Sequence, residues 1–330
     1  MRIELDVAAL GATRFAVSPI TQTVAAVLVL TGRRHSWVAQ PWAAGATDRF
    51  QLLRRSDPAV RALAMLLRSS GYNADFITPP PTIPAPTVEQ ELAAIRATSP
   101  EQVRREIRRV FGDGAVPRPI GRVLAGDRPA DHFADGVQAV WQALLAPEWP
   151  RMQAVLDREI ARRAARLTSH GWQVTLNEMT PLIRWAMAAD GRCTMDVPGL
   201  PSEDRVVHAD GITFVPNTFD AMWVCLDPPW HNAIVYPASG IAALWQPEAE
   251  HILPRLSELI GRARAQVLLA TGSPVTTTQL SHELTLSLGA VGGHLAVLRR
   301  AGLVTGTRVG RQVLYRRTSL GSALLGESDR

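Results

Sequence analysis

Thr276-Thr277-Thr278-Gln279-Leu280-Ser281-His282-Glu283-Leu284, then Ser287-Leu288-Gly289-Ala290-Val291-Gly292-Gly293-His294-Leu295-Ala296-Val297-Leu298-Arg299-Arg300-Ala301-Gly302-Leu303-Val304, is the stretch that decides the fold of this chain. Gln279 stands three residues after Thr276, a capping-box spacing, and Leu280 and Leu284 share one face of the helix that follows. Ser287 is placed to cap a second helix, whose Val291, Leu295 and Leu298 form an inward stripe. Gly302 supplies the left-handed residue that ends it. Beyond it, residues 304–308 and 312–316 are extended runs around Gly310-Arg311, decorated by Arg308, Arg311, Arg316 and Arg317. The pattern predicts a winged helix-turn-helix with a positive wing.

The segment resembles the DNA-binding domain of ArsR/SmtB-type bacterial repressors. The residues that carry the resemblance are Ser287, Val291, His294, Leu295, Leu298, Arg299, Ala301, Gly302, Leu303, Val304, Gly310, Arg311, Tyr315 and Arg316. It covers roughly residues 254–325 and implies a homodimer on double-stranded DNA, a repressor in function. The groove-facing positions of that family are commonly polar. Here they are Leu288, Gly289, Ala290, Gly292 and Gly293, which leaves His294 as the hydrogen-bonding side chain of the exposed face. Adjacent glycines in a helix cost about 1 kcal/mol each relative to alanine, which makes sense where the backbone must approach DNA closely. The residues expected to contact DNA are Thr277, Thr278, Gln279, Ser287, Gly289, Ala290, Gly292, Gly293, His294, Arg299, Arg308, Arg311 and Gln312. The bland alternative is a helix-turn-helix scaffold reused for protein contact.

Charge points to the same segment. From residue 251 onward there are ten arginines against four acids, whereas the first 250 residues hold 25 basic and 26 acidic side chains. The excess of +6 therefore belongs to the module expected to meet phosphates. All 35 basic residues are arginine, a uniformity better explained by coding bias than by phosphate recognition.

The 330 residues, 46% hydrophobic, suffice for two or three domains with a sizeable core. No run approaches the roughly 18 apolar residues of a membrane span, and Met1-Arg2-Ile3-Glu4-Leu5-Asp6 carries acids where a signal peptide would be apolar. Two cysteines, Cys193 and Cys225, form no disulfide framework. A cytoplasmic protein without membrane contact is expected.

Along the chain, residues 1–190 read as a helical regulatory or dimerisation domain. Helices are expected from Ser18-Pro19 to Leu30, from Asp57-Pro58 to Ser69, over 88–98 and 99–111, and over 131–169 with breaks at Pro147 and Pro150. Residues 79–86, rich in proline, read as an extended connector. Residues 191–250 carry short β-favouring runs at 192–197, 211–216, 221–226 and 232–236, expected to form a small antiparallel meander completing that domain. A helix over 248–270 leads into the winged helix-turn-helix of 251–330. The expected fold class is mainly α with a small β-meander. The layout also resembles actinobacterial ArsR-like regulators with a long N-terminal domain, through Thr13–Pro19, Asp75–Pro81, Asp227–Trp230 and Val235–Ala238.

Metal sensing through a Cys-x-Cys pair, known in some ArsR relatives, has no counterpart at Glu283–Ser287, and 319–325 lacks the Asp and His of a second relative type. The spacing of Cys193, Cys225, His208 and His231 matches no zinc pattern, so neither metal nor cofactor is expected. For an enzyme, the one pair that suggests itself is Asp227 and His231 flanking Pro228-Pro229-Trp230, and a turn-forming Asp before Pro is the commoner explanation. Nine tryptophans precede the DNA-binding module. Trp141, Trp185, Trp223 and Trp230 are candidates to line an effector pocket, with plain core, dimerisation or a partner surface as alternatives.

Overall fold

The computed structural model describes residues 1–325 except 37, 70, 178, 180–183, 188–191, 198–203, 208–209, 240, 246, 273–274, 285 and 310–311, and the backbone alone at 173, 177, 184, 187, 242–243, 247–252, 254, 279, 282–283, 309 and 312. Two compact units emerge, Met1–Ser36 with Trp42–Leu244, and Trp37–Pro41 with Trp245–Arg330.

The chain begins with strand β1 (Arg2–Leu5), helix α1 (Val7–Ala12), strand β2 (Arg14–Phe15) and helices α2 (Pro19–Leu30), α3 (Gln40–Ser56) and α4 (Pro58–Leu66). A 3₁₀ turn (Asp75–Ile77) precedes α5 (Val88–Arg96), α6 (Pro100–Phe111), α7 (Arg118–Leu124) and α8 (Pro129–Val140). Between α8 and α9 (Trp149–Asn177) the helix loosens into a π turn (Trp141–Leu145) and a 3₁₀ turn (Ala146–Glu148). Pro147 explains the interruption, since it has no N–H for the ladder, whereas Pro150 falls in the first turn of α9, where that N–H is not needed.

The helix starts follow from local chemistry. The Ser18 hydroxyl oxygen accepts the Thr21 N–H at 3.0 Å, and Pro19 follows at the first helical position. Every residue of α2 is buried, so its polar Gln22 must find partners. It donates to the Pro216 carbonyl at 3.0 Å and accepts from the Thr218 N–H at 2.9 Å. Buried Glu91 of α5 accepts the Ile20 N–H at 2.9 Å, supplying an acceptor at the start of α2. Helix α8 packs on α2, α4 and α5.

The strands depart from expectation. Strands β3 (Arg184–Met187), β4 (Cys193–Asp196), β5 (Asp204–Val207), β6 (Thr213–Asn217), β7 (Trp223–Cys225) and β8 (Ala233–Pro237) form no single antiparallel meander. One sheet has the order β3-β4-β1-β5 and the other β2-β6-β8-β7. Both are mixed. β1 runs parallel to β5 and antiparallel to β4, while β6 runs parallel to both β2 and β8. The physical reason is that the first fifteen residues, expected within a helical region, supply a strand to each sheet. Two to four residues are too few to show a period, yet Ile3 and Leu5 face a core with Cys193, Met195, Phe214 and Tyr236. Helix α10 (Ile241–Trp245) follows.

In the second unit the single helix expected over 248–270 is two, α11 (Pro247–Ile260) and α12 (Arg262–Ala270), divided at Gly261 with φ 83°. Then come β9 (Val275–Thr276), α13 (Thr277–Leu284), α14 (Leu288–Arg300), β10 (Val304–Val309), β11 (Gln312–Arg317) and α15 (Ser319–Leu324). Leu268, Leu280, Val291, Leu295, Leu298 and Val304 share one core.

Candidate nucleic-acid interface

Helices α13 and α14 are joined by a turn closed on itself. The Ser281 hydroxyl donates to the Leu286 carbonyl at 2.6 Å, and the Leu286 N–H returns to the Ser281 carbonyl at 3.2 Å. One residue on, the Ser287 hydroxyl oxygen accepts the Ala290 N–H at 3.2 Å. The cap sets the start of α14, and the buried stripe of Val291, Leu295 and Leu298 sets its rotation. At the far end Gly302 takes φ 72°, the Leu303 N–H reaches back to the Leu298 carbonyl at 2.9 Å, and the Gly302 N–H meets the Arg299 carbonyl at 3.0 Å. This is a left-handed helix end closed by a 6→1 bond.

With the stripe turned inward, α14 shows the opposite face to solvent. Leu288, Gly289, Gly292, Gly293, Arg299 and Arg300 are exposed, and Ala290 and His294 are half-buried. A Cβ built on Gly289, Gly292 or Gly293 meets nothing within 4 Å among the described residues. No internal packing of the fold therefore calls for glycine at these positions.

The hairpin β10–β11 pairs in antiparallel register from Val304 opposite Arg317 to Val309 opposite Gln312. Sequence reasoning missed its third strand. β9 pairs with β11, Thr276 opposite Leu314 and Val275 opposite Tyr315, and two residues before a helix show no strand period. It also missed the fastening of the hairpin base. The Thr318 hydroxyl donates to the Gly302 carbonyl at 2.6 Å and accepts the Gly321 N–H at 3.1 Å, starting α15. Gly321 is required there, because a Cβ would lie 2.3 Å from the Leu303 carbonyl oxygen. Thr318 before a short apolar run was the available signal.

Of the residues expected to meet DNA, Thr277 and Thr278 begin α13, Ser287, Gly289, Ala290, Gly292, Gly293, His294 and Arg299 belong to α14 and its cap, and Arg308 is exposed on β10. Gln279 and Gln312 are placed on α13 and β11 by backbone alone, and Arg311 lies outside the described residues. Residues 262–305 match the model of the family described as bacterial regulatory protein, arsR family.

Residues 262–305 form an ArsR-type helix-turn-helix. The matched span runs from α12 through α14 to the first residues of β10, so it covers the helix-turn-helix itself, an element of DNA-binding transcription regulation. No curated protein and no solved structure matches the chain.

The four tryptophans proposed as pocket lining are not brought together. Trp141 packs edge-on against Trp149 with centroids 5.3 Å apart, Trp185 lies beside Phe214 at 6.2 Å, and the Trp230 indole donates to Glu106 Oε1 at 2.7 Å. Of the four, Trp223 lines a cavity of the first unit. Asp227 is held by Arg109 and, at 3.1 Å, by Arg205. Cys193 and Cys225 are both buried, on β4 and β7 of different sheets. Among the described residues no group of three or more metal-ligating side chains is assembled, and no helix is long and apolar enough to cross a membrane.

Proposed function

We propose that the protein is a cytoplasmic, homodimeric transcription repressor that binds double-stranded DNA through residues 251–330 and senses a non-metal small-molecule effector through residues 1–250. The observation that carries the DNA-binding reading is the open glycine face of α14. Three glycines on the exposed side of a well-capped helix cost stability, and no neighbour within the fold explains them. Close approach of a phosphodiester backbone or base edge does. In this reading Gly289, Ala290, Gly292, Gly293 and His294 enter the major groove. Thr277, Thr278, Gln279, Ser287 and Arg299 meet phosphates at its edges, and Arg308, Arg311 and Gln312 extend along the backbone from the wing.

A helix face with one hydrogen-bonding side chain discriminates sites weakly, so specificity is supplied by geometry. Two copies read half-sites about one helical turn apart. An effector that binds one dimer geometry better than the other shifts DNA affinity by that difference. The test is a mobility-shift titration of the full-length protein on the DNA flanking its own gene, at several salt concentrations, with light scattering of the free and bound forms. A retarded dimeric complex whose affinity falls steeply with salt is expected, and chelator leaves it unchanged. A monomer that retards no DNA would favour a module reused for protein contact.

A further inference from the structure

The first unit carries a partly open cavity of about 190 Å³ beside α2, the 71–78 segment and β7. Its walls are largely apolar, formed by Val24 and Leu28 of α2, Leu67, Ile77, Trp223 and Leu226. One buried carboxylate faces this space. Asp75, 6% exposed, lines the cavity, and its Oδ2 accepts the Tyr72 hydroxyl at 2.9 Å. The buried Cys225 thiol of β7 neighbours it.

Both neighbours are neutral groups. Burial holds the Tyr72 phenol far above its ordinary range and the Cys225 thiol well above its own. The guanidiniums at the cavity each have a carboxylate partner. Arg109 pairs with Asp227 and lies 4.0 Å over the Tyr72 ring, and Arg205 pairs with Asp227 at 3.1 Å. A second buried carboxylate, Glu106, accepts the Phe76 N–H at 2.8 Å and the Trp230 indole at 2.7 Å. Burial first, and Glu106 second, push Asp75 up to about 7. A largely apolar cavity thus carries a buried carboxylate hydrogen-bonded by a neutral phenol, an environment in which the charged form is costly until a cation arrives.

We propose that this cavity binds a small organic amine, with its apolar body against Val24, Leu28, Leu67 and Trp223 and its protonated nitrogen on Asp75. An anion fits the same space poorly, because it would face the carboxylates of Asp75 and Asp227 and would compete with Asp227 for Arg109 and Arg205. The volume suits an aromatic ring with a short arm, since a dry cavity of about 150 Å³ takes up benzene. The inference gives a chemical class to the proposed effector and rests on that reading for its regulatory consequence alone.

The experiment uses the full-length protein and three probes of one shape, benzylamine, benzyl alcohol and benzoate, followed by calorimetric titration and by Trp223-dependent fluorescence at pH 8. Benzylamine is expected to bind at least ten-fold more tightly than the alcohol or the carboxylate, and Asp75→Asn to lower its affinity at least ten-fold. At pH 6 the wild-type protein is expected to bind benzylamine more weakly and to release a proton on binding, visible as a dependence of the heat on the buffer. This readout needs no variant. Equal binding of benzylamine and benzyl alcohol, no benzylamine binding at millimolar concentration, or an undiminished affinity in folded Asp75→Asn overturns the assignment. A mobility shift at saturating benzylamine separates the two claims. Binding without a change in DNA affinity supports the amine site and removes the effector role, whereas absent binding removes the site whatever the DNA does.

Discussion

The Ser287 hydroxyl oxygen accepts the Ala290 N–H at 3.2 Å, and this bond fixes the first turn of α14 directly beneath the glycine face. Ser287→Ala is expected to cost about 1 kcal/mol of stability, read as a lowered midpoint in urea. Ser287→Asp keeps the cap and is expected to retain that stability, while adding a negative charge beside the expected DNA path. A Ser287→Asp protein that binds DNA as well as wild type would place phosphates away from this end of α14.

Gly293→Ala makes stability and function diverge. With open space around the new methyl group, the variant is expected to be more stable by up to about 1 kcal/mol. Its DNA affinity is expected to fall, because the methyl group holds the helix away from the duplex. Denaturation and mobility shift on one preparation check both signs. A gain in stability with unchanged DNA binding would mean that the glycine face meets nothing.

His294→Ala is expected to lose on the order of 1–3 kcal/mol on the operator and little on random DNA, the signature of a base-edge contact. Arg311→Ala on the wing is expected instead to weaken every sequence alike and to reduce the salt slope by roughly 1. Competition binding at three salt concentrations distinguishes the two. Equal losses for His294→Ala on both DNAs reassign it to a phosphate.

Glu91 predicts a pH dependence. Burial, opposed by hydrogen bonds from Ser18 and the Ile20 N–H, raises this carboxyl to about 8. Folding then favours the protonated form, so its stabilising contribution is complete below the ordinary carboxylate range and is lost as pH rises toward 8. The limiting slope for one proton is about 1.4 kcal/mol per pH unit. Glu91→Gln retains an acceptor for the Ile20 N–H and cannot ionise. It is expected to flatten the decline in urea stability between pH 5 and 8 and to exceed wild type at pH 8.

The helices with strong end signals were legible in the sequence. Ser18-Pro19, Asp57-Pro58 and Ser99-Pro100 each begin a helix at the residue they announce, and Ser287 with Gly302 frames α14 because a cap bond and a left-handed residue act within a few positions. The helix-turn-helix was legible for the same reason. Its turn, stripe and hairpin are local, and Val291, Leu295 and Leu298 repeat at helical spacing. The tertiary structure decided what depends on distant partners. Arg2–Leu5 becomes a strand because Cys193–Asp196 and Asp204–Val207 offer it ladders nearly two hundred residues away, and four residues carry no period to reveal that. Asp75 meets Tyr72 through a local bond, but the neighbouring Cys225, Asp227 and Glu106, and the Arg205 paired with Asp227, arrive from three other places in the chain. A buried charge is defined by what surrounds it, and spacing along a chain does not record those surroundings.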